Sequence, residues 1–168
     1  MTLATTWINE NDKMVTSLDD LMPIIRLQLG EGKSVCFTPT GASMMPLLRH
    51  NMDSVVLSPA HDTLAIYDIA LYQRDNGDYV LHRMVGTSVI AGESSVTYTM
   101  LGDNQFAKEY GIRDDQIIGV VTEFTRDGRV HKVDEIGYKA YCRVWYHSRQ
   151  FRYFLKRVKR KLRSIMKR

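Results

Sequence analysis

The sequence predicts a mainly β fold with an N-terminal helix and a basic amphipathic C-terminal helix. Three observations carry this. Between Ser34 and Val133, short runs rich in β-branched and aromatic residues alternate with Gly, Asn and Asp turns. Before them, "TSLDDLMPIIRLQLGEGK" has apolar residues near helical spacing and ends on glycines. After them, Phe151, Phe154, Leu155, Val158, Leu162 and Ile165 recur at three- and four-residue steps among Lys and Arg.

In the N-terminal segment, residues 1–33, Thr16 or Ser17 can cap the helix and Asp19 and Asp20 suit its first turn. Leu18, Leu21, Ile25 and Leu29 mark its apolar face. Pro23 fits a helix interior poorly, which favours a start a few residues later. In the β domain, residues 34–134, the strands are "SVCFTP", "SVVLS", "DIALYQ", "YVLHRMV", "VTYTML" and "IIGVVTEF". The connections "RDNGD", "AGESS" and "TRDGR" have hairpin turn chemistry, so the sheet should be mainly antiparallel. The tail, residues 135–168, reads as one helix without an internal breaker.

At 168 residues the chain suits one domain with a real core. Residues 136–168 hold 12 of its 23 Lys and Arg and no acid, which leaves 11 basic against 19 acidic groups elsewhere. An acidic body thus carries a basic tail. Cys36 and Cys142 have no metal or redox spacing, and a reducing compartment is the simpler setting. The start "MTLATTWINENDKMVTS" lacks the basic and apolar regions of a signal peptide, and no apolar run is long enough to span a bilayer. The expected location is cytoplasmic, free or peripheral on the inner membrane face.

Ser43, in "GASMMPLL", follows small residues that leave its hydroxyl and backbone N–H accessible, with Pro46 stiffening the exit. A serine hydroxyl needs an adjacent base to become a nucleophile, and its N–H can help hold an oxyanion. His82 sits in the strand "YVLHRMV" and can project to one surface. Asp103 lies in the turn "MLGDNQF". Each also has an ordinary reading: a small-residue turn, a structural histidine and an Asp turn bonded to its own backbone.

Taken in order, "GASMMPLL", "YDIALY", "YVLHRMV", "MLGDNQ" and "DQIIGVV" resemble the boxes of the type I signal peptidase superfamily, which shares its fold with the self-cleaving repressor proteases. The resemblance covers about residues 34–124, and the serine box is its most specific part. Histidine at the base box resembles the archaeal, endoplasmic-reticulum and sporulation-type branch, where the usual bacterial enzymes have lysine. A lysine base must be neutralised by burial, whereas a histidine needs orientation more than desolvation, so a partly open site would serve.

The resemblance implies Ser43 as nucleophile and His82 as general base, with Asp103 or Glu109 as the acid that orients the imidazole; both acids stay open. It implies no cofactor or metal. Tyr67 stands before Asp68 where the family usually has glycine, which bears on a local turn. The family's spanning anchor has no counterpart here, so the chain looks more like soluble bacterial members of the superfamily. Against the repressor branch, residues 1–33 are too short for a helix-turn-helix domain, and the one Ala-Gly pair, Ala91-Gly92, lies downstream of Ser43.

The expected activity is that of a serine endopeptidase acting on an extended peptide or leader, after a small residue as the resemblance implies. The alternative is a non-catalytic peptide- or membrane-surface-binding module on the same fold. For the tail, residues 138–168, an anionic membrane surface and simple packing on the acidic body are equal readings; nucleic acid is the weaker one.

Overall fold

The computed structural model describes residues 5–7, 18–89 and 95–165, without the side chains of 5–7, 18–20, 156 and 159–165. The caps Thr16 and Ser17, the side chains of Asp19 and Asp20, the pair Ala91-Gly92 and the side chains of Leu162 and Ile165 lie outside the described residues.

The predicted class holds: one mainly antiparallel sheet, with a helix after its first strand and helices after its last. Its strands are β1 (Thr5–Trp7), β2 (Ser34–Phe37), β3 (Ser54–Ser58), β4 (Ile69–Gln73), β5 (Tyr79–Val89), β6 (Val96–Leu101), β7 (Glu109–Ile112), β8 (Ile117–Arg126) and β9 (Arg129–Lys132). They run in the order β1-β2-β3-β8-β4-β5-β6-β7, with β9 on β8. Among the described residues, only the β1–β2 pair is parallel.

Alternation along the strands feeds two cores, one on each face. Ile69, Leu71 and Leu81 join Val55, Leu57 and Phe124 in the larger. Ala70, Tyr72 and Met84 join Tyr98 and Met100 in the smaller. The N-terminal helix α1 (Leu18–Gly30) covers the larger core with Met22, Ile25 and Leu29. It keeps Pro23 inside rather than starting after it. Pro23 lies in the second turn, where one backbone bond is lost, and the burial of Met22 and Ile25 on either side offsets that loss.

The tail departs from the single expected helix. It forms α2 (Ile136–His147) and α3 (Arg149–Ile165), which have different surroundings. Ser148 closes α2, with its N–H on Val144 O and its hydroxyl on Trp145 O. Tyr138 and Cys142, one turn apart, bury α2 in the larger core. By contrast, Phe151, Phe154, Leu155 and Val158 of α3 are exposed. Among the described residues, no helix is long and apolar enough to cross a membrane.

Candidate active site

Ser43 lies in the turn at 41–48, between β2 and β3. Met44, Leu47 and Leu48 fix that turn by burying themselves in the larger core. Of the two methionines after the serine, Met44 is therefore an anchor, while Met45 stays exposed before a cis bond to Pro46. Gly41 enters the turn at φ 95°, a conformation that favours glycine, and its N–H donates to His50 Nδ1 at 2.7 Å.

A second turn clasps the first. Asn104 N–H donates to Ser43 O at 2.7 Å, and Asn104 Nδ2 donates to Ala42 O at 3.1 Å. Gly102 precedes it, and a Cβ added there would meet Ser43 O at 2.8 Å and His82 Nε2 at 3.0 Å. The serine backbone and the imidazole are thus kept apart by little more than the space of one methyl group.

His82 reaches this point from β5, opposite Ala70 of β4. Tyr72, two residues along β4 and on the same face, is its diagonal neighbour. Nδ1 of His82 lies 3.2 Å from Tyr72 Oη and 3.1 Å from Glu109 Oε1. The Tyr72 hydroxyl donates to Glu109 Oε2 at 2.8 Å, so its only hydrogen is spent there. Tyr72 Oη and the ionised Glu109 can then only accept from Nδ1. That places the ring proton on Nδ1 and the lone pair on Nε2, facing Gly102 and the serine turn. Arg74 completes the set, donating to Glu109 through Nε at 2.8 Å and Nη2 at 2.5 Å.

The electrostatics follow from this geometry. His82 is 1% exposed, so the imidazole is buried, although a partly open site would also have served a histidine base. Burial pushes its pKa down to about 4, and the Arg74 charge adds to that, while Glu109 pulls the other way. Burial pushes the Glu109 carboxyl up, but the bonds from Arg74 and Tyr72 outweigh it and leave its pKa below the usual value. At neutral pH the site therefore holds a neutral imidazole beside an ionised carboxylate.

Asp103 has a different partner. Its two oxygens accept from Arg83 Nε and Nη2, each at 2.8 Å, and both residues are buried. Arg83 follows His82 in β5 and so leaves the strand on the other face. Its Nη1 also donates to Tyr67 O and Tyr138 Oη, both at 2.9 Å, and meets Cys142 Sγ at 3.0 Å. Asp103 thus ties β5 to α2, and of the two acids left open by the sequence it is Glu109 that stands on the imidazole.

Ser43 and His82 line one cleft of about 220 Å³, together with Thr40, Arg74, Tyr79 and Gln105. No hydrogen bond joins the Ser43 hydroxyl to His82 among the described residues. The cleft has a backbone wall as well. Residues 79–82 pair with β4 on one edge, but pairing with β6 begins only at Arg83. The other edge of this segment is therefore without a partner strand among the described residues, and all four residues line the cleft.

Sequence reasoning missed Tyr72 and Arg74. The alternation of "IALYQ" puts Tyr72 on the Ala70 face, but only the β4–β5 register brings that face to His82. Tyr67, at the position where the resembled family usually has glycine, has φ 80°. A bulky residue there is strained. Its N–H on Met84 O and its carbonyl on Arg83 hold it in place. Among the described residues, no group of three or more His, Cys, Asp or Glu side chains is arranged to hold a metal ion.

No protein-family model matches this sequence, and no curated protein matches it either.

Proposed function

We propose that the protein is a serine endopeptidase that cleaves an extended peptide lying in the cleft, with Ser43 as nucleophile and His82 as general base. The observation that carries this is the meeting, beside Gly102, of the Ser43 turn with the lone-pair nitrogen of His82, whose other nitrogen faces Tyr72 and Glu109. A nucleophile, a base and an orienting acid in that order are what acyl transfer requires.

In the reaction, Nε2 takes the Ser43 hydroxyl proton as Oγ attacks the scissile carbonyl carbon. In this reading the Ser43 N–H would help hold the resulting oxyanion. As the C–N bond breaks, Nε2 returns the proton to the leaving amine. Water then attacks the acyl-serine by the same route and frees the carboxylic product. Glu109 stabilises the imidazolium in both halves. Oγ needs to close on Nε2 when substrate fills the cleft, as catalytic hydrogen bonds often tighten only on binding.

The open edge at 79–82 supports an extended substrate, since a peptide can add there as a strand. Preference for a small residue before the cleaved bond rests on the resemblance in the serine box. The test is cleavage of a peptide library by the intact protein and by Ser43→Ala. Products that share a small residue at the cut and vanish in Ser43→Ala support the reading. A library left uncut by both, with peptides retained at the cleft, favours a binding module instead.

A further inference from the structure

We infer that α3 is a docking helix for an anionic phospholipid surface, independent of the chemistry at Ser43. Residues 149–165 contain eight Lys and Arg and no acid. On a helical projection the apolar residues at 151, 154, 155, 158, 162 and 165 fall within about 100° of arc, and every cation falls outside it.

The body does not cover the described part of this stripe: Phe151 is 63% exposed, Phe154 60%, Leu155 40% and Val158 38%. A helix with a continuous apolar face and many cations on the others matches a membrane interface, where the rings enter the acyl boundary and the cations meet headgroups. Two other occupants fit less well. A second copy of α3 would bring eight cations against eight without a counter-charge. A nucleic acid would use the cations and leave the apolar stripe in water.

The root of α3 is held to the body. Trp145 Nε1 donates to Asp103 O at 3.0 Å, Arg149 Nη1 donates to Phe106 O at 3.3 Å, and the rings of Phe106 and Tyr153 lie 4.9 Å apart. The Arg152 guanidinium stacks on the Trp145 ring and donates to Trp145 O. A helix anchored this way would carry the whole domain to the surface it binds.

The test is flotation of the full chain with vesicles of phosphatidylcholine alone and of phosphatidylcholine with about 30 mol% phosphatidylglycerol. Binding at least about 10-fold stronger to the anionic vesicles is expected, with about a 10-fold loss in Phe154→Ser/Leu155→Ser and, separately, in Phe151→Ser/Val158→Ser. Thermal midpoints equal to that of the parent would show that these variants fold. Ser43→Ala should bind like the parent. Failure to float with anionic vesicles overturns the inference. So does binding that both serine pairs leave unchanged, since charge alone would then account for it. Displacement from the vesicles by duplex nucleic acid at equal phosphate concentration, or self-association lost in the serine pairs without lipid binding, would assign the helix to another partner.

Discussion

Nδ1 of His82 lies 3.1 Å from Oε1 of Glu109, although 27 positions and two strand connections separate them in the chain. The β6–β7 pairing makes this contact, because Glu109 opens β7 opposite Met100. Its counterpart on the other face is the Arg83–Asp103 pair. Adjacent residues of β5 thus serve two carboxylates with separate tasks.

That separation predicts opposite phenotypes. Glu109→Gln keeps the shape but removes the charge that supports an imidazolium, and should lower kcat/KM about 100-fold. Its effect on stability should be only about 1 kcal/mol. Asp103→Asn strands the buried Arg83 charge and should cost about 3–5 kcal/mol by urea unfolding. Equal stability losses in the two variants would contradict the division.

Gly102 should be intolerant of a side chain for steric reasons. An alanine Cβ would sit 2.8 Å from Ser43 O and 3.0 Å from His82 Nε2, and the first of these is backbone that cannot swing away. Gly102→Ala is expected to abolish peptidase turnover in a protein that still folds. Near-normal turnover would show that the two groups need not meet beside this residue.

Stability should fall as pH is lowered through the range set by His82. Its pKa is about 4 in the folded chain against an ordinary 6.5, so the unfolded chain binds the extra proton first. The contribution is complete above about pH 6.5 and is lost progressively towards pH 4, by roughly 3 kcal/mol in total. Glu109, whose pKa is depressed from 4.5, loses its contribution only below that value. Urea midpoints at several pH values, alongside NMR titration of the His82 ring, check this. A ring that titrates near 6.5 would refute it.

Tyr67 makes a backbone prediction. At φ 80° any L side chain is strained, so Tyr67→Gly should be more stable than Tyr67→Ala by about 1 kcal/mol. Both variants lose the ring contact with Tyr146, which cancels in the comparison. Thermal unfolding of the pair measures the difference, and equal midpoints would contradict it.

The six strands with strong β-branched patterns were legible because each buries at least one face. The short strands β1, β7 and β9 were not: "EYGI" is brief, charged and broken by Gly111 at φ 76°. Missing β7 is what left Asp103 and Glu109 undecided, since the choice depends on pairing across β6. Ser43 and His82 stood out as candidates from their local sequence alone. Tyr72 and Arg74 could not, because register rather than spacing brings them to the imidazole. The break at Ser148 was equally hidden, as serine is an ordinary helix residue and the division follows from α2 docking on Arg83.

The most direct test of the Ser43–His82 pair is covalent labelling by a peptidyl phosphonate ester with alanine beside the phosphorus, followed by mass spectrometry of the modified peptide. The account predicts a single adduct on Ser43, formed much more slowly in His82→Gln and in Glu109→Gln. No adduct, an adduct elsewhere, or labelling of Ser43 at an unchanged rate in His82→Gln would contradict it.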